Sequence, residues 1–272
     1  MTYKPSPKPN FFEPTHIEYK KMETYMWGDD EAGKVRDWIY VSNESLHQII
    51  FGIEPGGNFK HSDQYRTVFG ADELLYVLSG VLIINNPETG ETHKILPGES
   101  VFFQKDTWHH AFNYSDEYLQ VLEFFSPPPI TGTSGAYAKE KNLLTNLKYK
   151  RDNFFYPSEE FKNENSFKIL RKNEYIWSLE GVNQETLIAT LVKTKNLDVK
   201  IINLKSLHES NVFNFKNNTS YLSLNDNLEV ILDNDKKFLL SKKDGMYLPK
   251  NCSFKIKNLN NFDVNIIFCI GV

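Results

Sequence analysis

Side chains able to do chemistry crowd into one stretch of this chain. Between Gly56 and Asn113 lie His61, Asp63, Glu73 and the adjacent pair His109 and His110. Imidazole and carboxylate groups that reach one point from separate strands make a metal site. Two histidines with one or two carboxylates suit Fe(II), Mn(II), Ni(II) or Zn(II). With open positions left over, two histidines and one carboxylate form the facial arrangement of non-haem iron oxygenases. On a strand Glu73 projects with Leu75 and Val77, so an ionisable group joins an apolar row. Burying such an acid costs several kcal/mol unless it is paired or metal-bound.

Other residues around this stretch fit a reaction site. Arg66, one of only four arginines, could clamp an anionic substrate group through its planar fork. Glu123 interrupts the apolar run Val121–Phe125, where an inward carboxylate could act as a general base. Tyr65, Tyr76, Phe103 and Trp108 are candidates to line a substrate pocket. Plainer readings compete. His61 follows a Gly-Gly turn and could be a loop histidine, Glu73 a rim charge and Arg66 a surface residue. Many of the aromatics could simply fill a core.

The elements that position these groups read as short strands. Residues 37–41, 46–53, 73–78, 81–85, 100–104 and 118–125 are rich in Val, Ile, Leu, Phe and Tyr. Turn signals at Pro55-Gly56-Gly57, Asn85-Asn86-Pro87, Thr89-Gly90 and Pro97-Gly98 separate them. No segment of this half carries a sustained 3.6-residue apolar period, so an antiparallel barrel or sandwich is expected. Residues 1–15 hold four prolines and should form an extended arm outside any central strand. After Pro127-Pro128-Pro129 a polar stretch reads as a linker with a helical piece near 137–147, and strand patterning resumes from Ser166.

Composition removes several classes. Lys and Arg number 31 against 35 Asp and Glu, a net charge of −4 that suggests no nucleic-acid partner. No apolar run approaches a membrane span, and the first residues have no signal-peptide core. Cys252 and Cys269 are too few for a disulfide framework or a zinc cluster. A cytoplasmic protein is expected.

The spacing resembles the cupin superfamily over roughly residues 46–125. His61 opens the first motif, and Gly80 follows Glu73 by seven positions. In the second motif Gly98 precedes His109 by eleven and Asn113 follows it by four. That register selects His109 over His110. Three departures stand out. Asp63 replaces the second histidine of the pair, a half-dozen extra residues including Arg66 precede Glu73, and Gln104 and Asp106 replace a Pro and a Gly. The resemblance implies an all-β fold, a double-stranded β-helix or jelly-roll barrel. The C-terminal half looks like a worn copy. Phe254 occupies the histidine position there, Asn258 the asparagine position, and Asn227 follows Ser220 by the same seven residues.

The expected organisation is an arm at 1–30, a metal-site cupin at 31–130, a linker at 131–165 and a degenerate cupin at 166–272. One divalent metal is expected, Fe(II) first and Mn, Ni or Zn as alternatives, held by His61, Glu73 and His109 with Asp63 as a possible fourth ligand. By resemblance, the leading function is an Fe(II) oxygenase or dioxygenase acting on a small organic molecule, with Arg66 and Glu123 assisting. An oxygen-independent isomerase, epimerase, lyase or hydrolase of a sugar or small acid is the alternative. A ligand-binding or sensor protein without turnover is the third reading. A small-molecule substrate and a homodimer exchanging its arm are expected; nucleic acid and membrane are not.

Overall fold

The computed structural model describes residues 7–126, 136–152 and 165–271. Among the described residues it is almost entirely β, as the strand patterning requires, with one short α-helix, Ala136–Lys139, and 3-10 turns at Tyr19–Lys21 and Lys172–Glu174. Among the described residues no helix is long and apolar enough to cross a membrane. The chain divides into two compact units. One holds the described residues of 24–38, 49–126, 136–152 and 165–172, the other those of 7–23, 39–48 and 173–271.

The first unit is built on three adjacent antiparallel strands, not consecutive in the chain, that carry the chemistry. Strand Asp72–Ser79 lies between Ser100–Phe103 and Leu119–Ser126. Glu73 pairs with Phe103 on one side and Phe125 on the other, and Leu75 pairs with Glu123. Alternation therefore puts Glu73, Leu75, Phe103, Glu123 and Phe125 on one face. Strand His110–Asn113 pairs with Leu82–Asn86 and Asn58–Phe59. Two expected boundaries move. Lys168–Leu170 adds a strand to Ser100–Phe103 inside this unit, and the expected linker contributes residues 136–152 to it. Residues 131–135 and 153–164 of that linker lie outside the described residues.

The second unit is a seven-stranded and a four-stranded sheet around one apolar core. Strand Thr15–Ile17, at the end of the Pro-rich arm, forms the sheet edge by pairing with Gly245–Leu248. Edge placement is what prolines permit. The core is aromatic. Tyr221 stacks on Phe268 with centroids 4.9 Å apart, and Phe213, Phe215 and Phe254 close around them.

The two units repeat each other in their turns. Gly80 and Asn227 both have positive φ, at +73° and +57°. So do Gly98 and Lys243, eleven residues before His109 and Phe254, and Asp106 and Asn251, three before them. The asparagines match as well. Asn113 donates to the carbonyls of Ile53, Glu54 and Glu117, while Asn258 donates to those of Leu204, Lys205 and Phe262. Each thus ties two successive carbonyls to the carbonyl four residues ahead, a buried cross-brace whose amide is satisfied.

Candidate functional site

Neighbouring strands Asp72–Ser79 and Leu119–Ser126 of the first unit bury acids next to each other. Glu73 and Glu123 face the same way from neighbouring strands, and both are enclosed. Burial first, then the Glu123 charge and a hydrogen bond to it, push the Glu73 carboxyl well above the ordinary range. Burial also raises Glu123, to about 7, against a lowering by its hydrogen bond to Glu73. The two carboxyls therefore titrate as a coupled pair, both held above the ordinary carboxylate range. A third buried acid, Asp37, is raised by burial and by Glu123, and its Oδ1 has no hydrogen-bond partner among the described residues. Val35, Asp37 and Ile39 alternate as a buried row. Asp37 thus carries the same signal that marks Glu73, but it precedes the Gly56–Asn113 stretch where the motifs lie.

His109 completes this cluster. Its Nδ1 lies 3.2 Å from the Thr107 carbonyl, an acceptor only, so Nδ1 carries the hydrogen and Nε2 presents a lone pair. Burial holds its pKa down at about 4. Nε2 faces Glu73 Oε2 across 4.0 Å, too far for a hydrogen bond, and Glu73 Oε2 has no other partner among the described residues. Phe103 and Phe69 pack on the imidazole at 4.7 and 5.4 Å, and Phe125 lies edge-on to Phe69.

The other expected ligands are placed elsewhere. His61 Nδ1 lies 2.8 Å from His110 Nε2, and His61 Nε2 lies 2.8 Å from the Leu144 carbonyl. Because that carbonyl only accepts, Nε2 donates to it, Nδ1 accepts from His110, and both His61 nitrogens are occupied. Burial keeps His61 and His110 neutral, the latter at about 3. Asp63 is 74% exposed and sits 3.5 Å from Arg66. Arg66 is turned to the backbone, where it donates to the carbonyls of Ala138, Lys139 and Lys141.

Among the expected pocket residues, Phe103 is at the cluster. Trp108 packs on His61 at 4.8 Å. Tyr76 points to the opposite face of its strand from Glu73, and Tyr65 lies edge-on to Trp27. The described cavity, about 380 Å³ and lined by Glu209, Ile231, Lys237 and Lys255 among others, belongs to the second unit.

These positions decide how well the residues suit a resident metal. His109 Nε2 and Glu73 Oε2 converge as unpartnered donors. The third and fourth donors are missing, because His61 is held by two hydrogen bonds and Asp63 faces solvent. Among the described residues no three His, Cys, Asp or Glu side chains are grouped to hold an ion. The expected ligand set does not fit as arranged. What the cluster can do is hold and transfer a proton in a water-poor aromatic setting.

Comparison with known proteins agrees with the fold. Residues 50–125 match the cupin domain family model. No curated protein matches the chain. Among solved structures, YlbA from E. coli is 11% identical, with 96% of this chain and 91% of that chain covered at a TM-score of 0.64. Oxalate decarboxylase from Lactobacillus farciminis is 12% identical, with 97% and 87% covered and a TM-score of 0.62. Salicylate 1,2-dioxygenase from Pseudaminobacter salicylatoxidans is 11% identical, with 85% and 72% covered and a TM-score of 0.61. At these identities the likeness is one of fold alone.

Proposed function

We propose that this chain, which carries a cupin domain at residues 50–125 within a two-cupin fold, is an enzyme that moves protons on a small neutral hydroxy-carbonyl compound. The observation that supports this most is the buried Glu73–Glu123 carboxyl pair beside the unprotonated Nε2 of His109. In this reading the Glu123 carboxylate takes a proton from the substrate. Glu73 holds the proton that is returned, and His109 Nε2 accepts a hydrogen bond from a substrate hydroxyl. Phe69, Phe103 and Phe125 keep water from competing. A neutral substrate follows from the charges. No Lys or Arg contributes to the shifts at Glu73 and Glu123, and Arg66 is engaged by the backbone. Among the described residues a carboxylate substrate would meet three acids and no cation that acts on them. The reaction class is therefore isomerisation, epimerisation or elimination on a sugar-like molecule.

The test is deuterium uptake from D2O into a panel of aldoses and ketoses, followed by NMR with chelator present and oxygen excluded. Oxalate and salicylate serve as anionic comparators. Uptake into a neutral sugar, unchanged by chelator, supports the reading. The converging acceptors of His109 and Glu73 favour a second one, a metal-dependent oxygenase with Fe(II) bound. It requires His61 to leave His110. Stoichiometric Fe(II) uptake that is lost in Glu73→Gln, together with oxygen consumption on a panel substrate, would select it. A panel sugar bound tightly and recovered without deuterium would instead point to a binding protein.

A further inference from the structure

We propose that residues 136–151 are a strap fastened across the mouth of the N-terminal barrel, with Arg66 as its clasp, and that the strap must lift before a molecule reaches His109.

Two loops form that mouth. One runs from His61 to Gly70 and carries Phe69; the other runs from Gln104 to His109. They are already tied to each other, since Asp106 and His109 donate their backbone N–H groups to the carbonyls of Phe69 and Thr67. The strap spans both. From the first loop, Arg66 NH1 donates to three carbonyls at the end of helix Ala136–Lys139. From the second, Asp106 accepts from the Tyr137 hydroxyl and pairs with Lys141 at 2.6 Å, while Lys141 Nζ stands 4.8 Å over the Tyr137 ring. Between them Leu144 packs on Val68, Trp108 and Ala138, and its carbonyl takes the His61 hydrogen bond. Farther along, Lys148 N–H donates to the Pro87 carbonyl, and Tyr149 lies against His110.

The composition of these fastenings suits a part that moves. The apolar anchor is a cluster of four side chains joined by the contact of Tyr149 with His110, and the remaining fastenings are polar and only partly buried. Contacts of that kind open locally at free energies well below that of global unfolding. Arg66 carries the largest share, because one guanidinium serves three carbonyls with charge-assisted bonds. It is a positioning residue and touches no reacting group. The strap also explains why His61 is turned from the Glu73 cluster, since its Nε2 is the donor the strap's Leu144 carbonyl needs.

Diethylpyrocarbonate labelling of the full chain, read at each histidine by mass spectrometry, tests this without a substrate. It therefore stands apart from the proton-transfer reading. Arg66→Ala should speed labelling of His109 roughly tenfold or more, the loss expected for charge-assisted hydrogen bonds. His208 should keep its wild-type rate and amides of strand Leu119–Ser126 their slow exchange, while amide exchange over residues 136–150 should accelerate in parallel. Lys141→Ala, a half-exposed position with little bearing on folding, should give a smaller rise of the same pattern. Unchanged His109 labelling in both variants overturns the strap. So does a rise that appears only together with faster exchange in strand Leu119–Ser126, because that reports unfolding of the barrel.

Discussion

The two barrels of this chain have matching turns and opposite interiors. Where the first places His109, the second places Phe254. Where the first pairs Glu73 with Phe103 and Phe125, the second pairs Thr219 with Leu248 and Ile270. Ser220, which the spacing matches to Glu73, thus points to the opposite face and bonds Gln48. Around His109 lie two hydrogen-bonded acids and a third nearby. Around Phe254 lie Phe213, Phe215 and Tyr221, packed ring on ring. One interior retains groups that destabilise it, and the other has exchanged them for apolar contact. A fold can support either, because its turns and its asparagine cross-brace are separate from its interior faces. Groups kept at a cost to stability are the reason the proposed function is placed in the first half.

Substitutions that exchange the two interiors sharpen this contrast, and turnover should respond most. Glu73→Gln and Glu123→Gln should each lower deuterium uptake by ~10² to 10⁴, the usual share of general acid–base groups. Thr219→Ala, at the matching position of the second barrel, should leave it unchanged. Stability should respond the other way. Phe254→Ala should cost about 3–5 kcal/mol in denaturant unfolding, as large-to-small changes in an aromatic core do. His109→Ala should cost visibly less.

Acidity separates the barrels next. Both folded pKa values of the glutamate pair lie above the ordinary 4.5. The folded state therefore binds more protons than the unfolded one between pH 4.5 and about 7. Stability of the first unit should fall as pH rises through that window, by about 3 kcal/mol from the Glu123 shift. Glu123→Gln should flatten the fall when unfolding is followed by pH. Shared features should behave alike. Asn113→Ala and Asn258→Ala should each cost roughly 2–3 kcal/mol, since each strips the same three carbonyls of a donor. The smallest effect belongs to the turns. Asn251→Gly should gain only a few tenths of a kcal/mol by calorimetry, because Asn tolerates its φ of +61° nearly as well as Gly.

Much of this architecture is legible in the amino-acid sequence. Strands Leu228–Leu232 and Val264–Ile270 coincide with their apolar runs, because both runs end at turn residues. Glu73 and Glu123 stand out as acids inside apolar rows. The repeat is legible through Phe254, Asn258 and Asn227, although Asn227 and Lys243 stand where the first barrel has Gly80 and Gly98. These residues adopt the same left-handed backbone without glycine's signature. The expected ligand set fails for a physical reason. Spacing tells which side chains lie on neighbouring strands, but not which nitrogen is already engaged. His61 is taken up by His110 and by Leu144, a residue 83 positions away with no pattern pointing to it. Arg66 likewise reads as a free fork until residues 138–141 fold back on it.

Carbon-13 NMR of protein labelled at the glutamate carboxyl carbons, titrated with pH in the presence of chelator, tests the coupled titration of Glu73 and Glu123 most directly. The account predicts one carboxyl signal with an apparent midpoint near neutral pH that disappears in Glu123→Gln, beside a second that stays protonated at pH 7 and disappears in Glu73→Gln. If every glutamate signal titrates in the ordinary range near 4.5, the two carboxyls are not a coupled pair and the first barrel is not the acid–base centre described above.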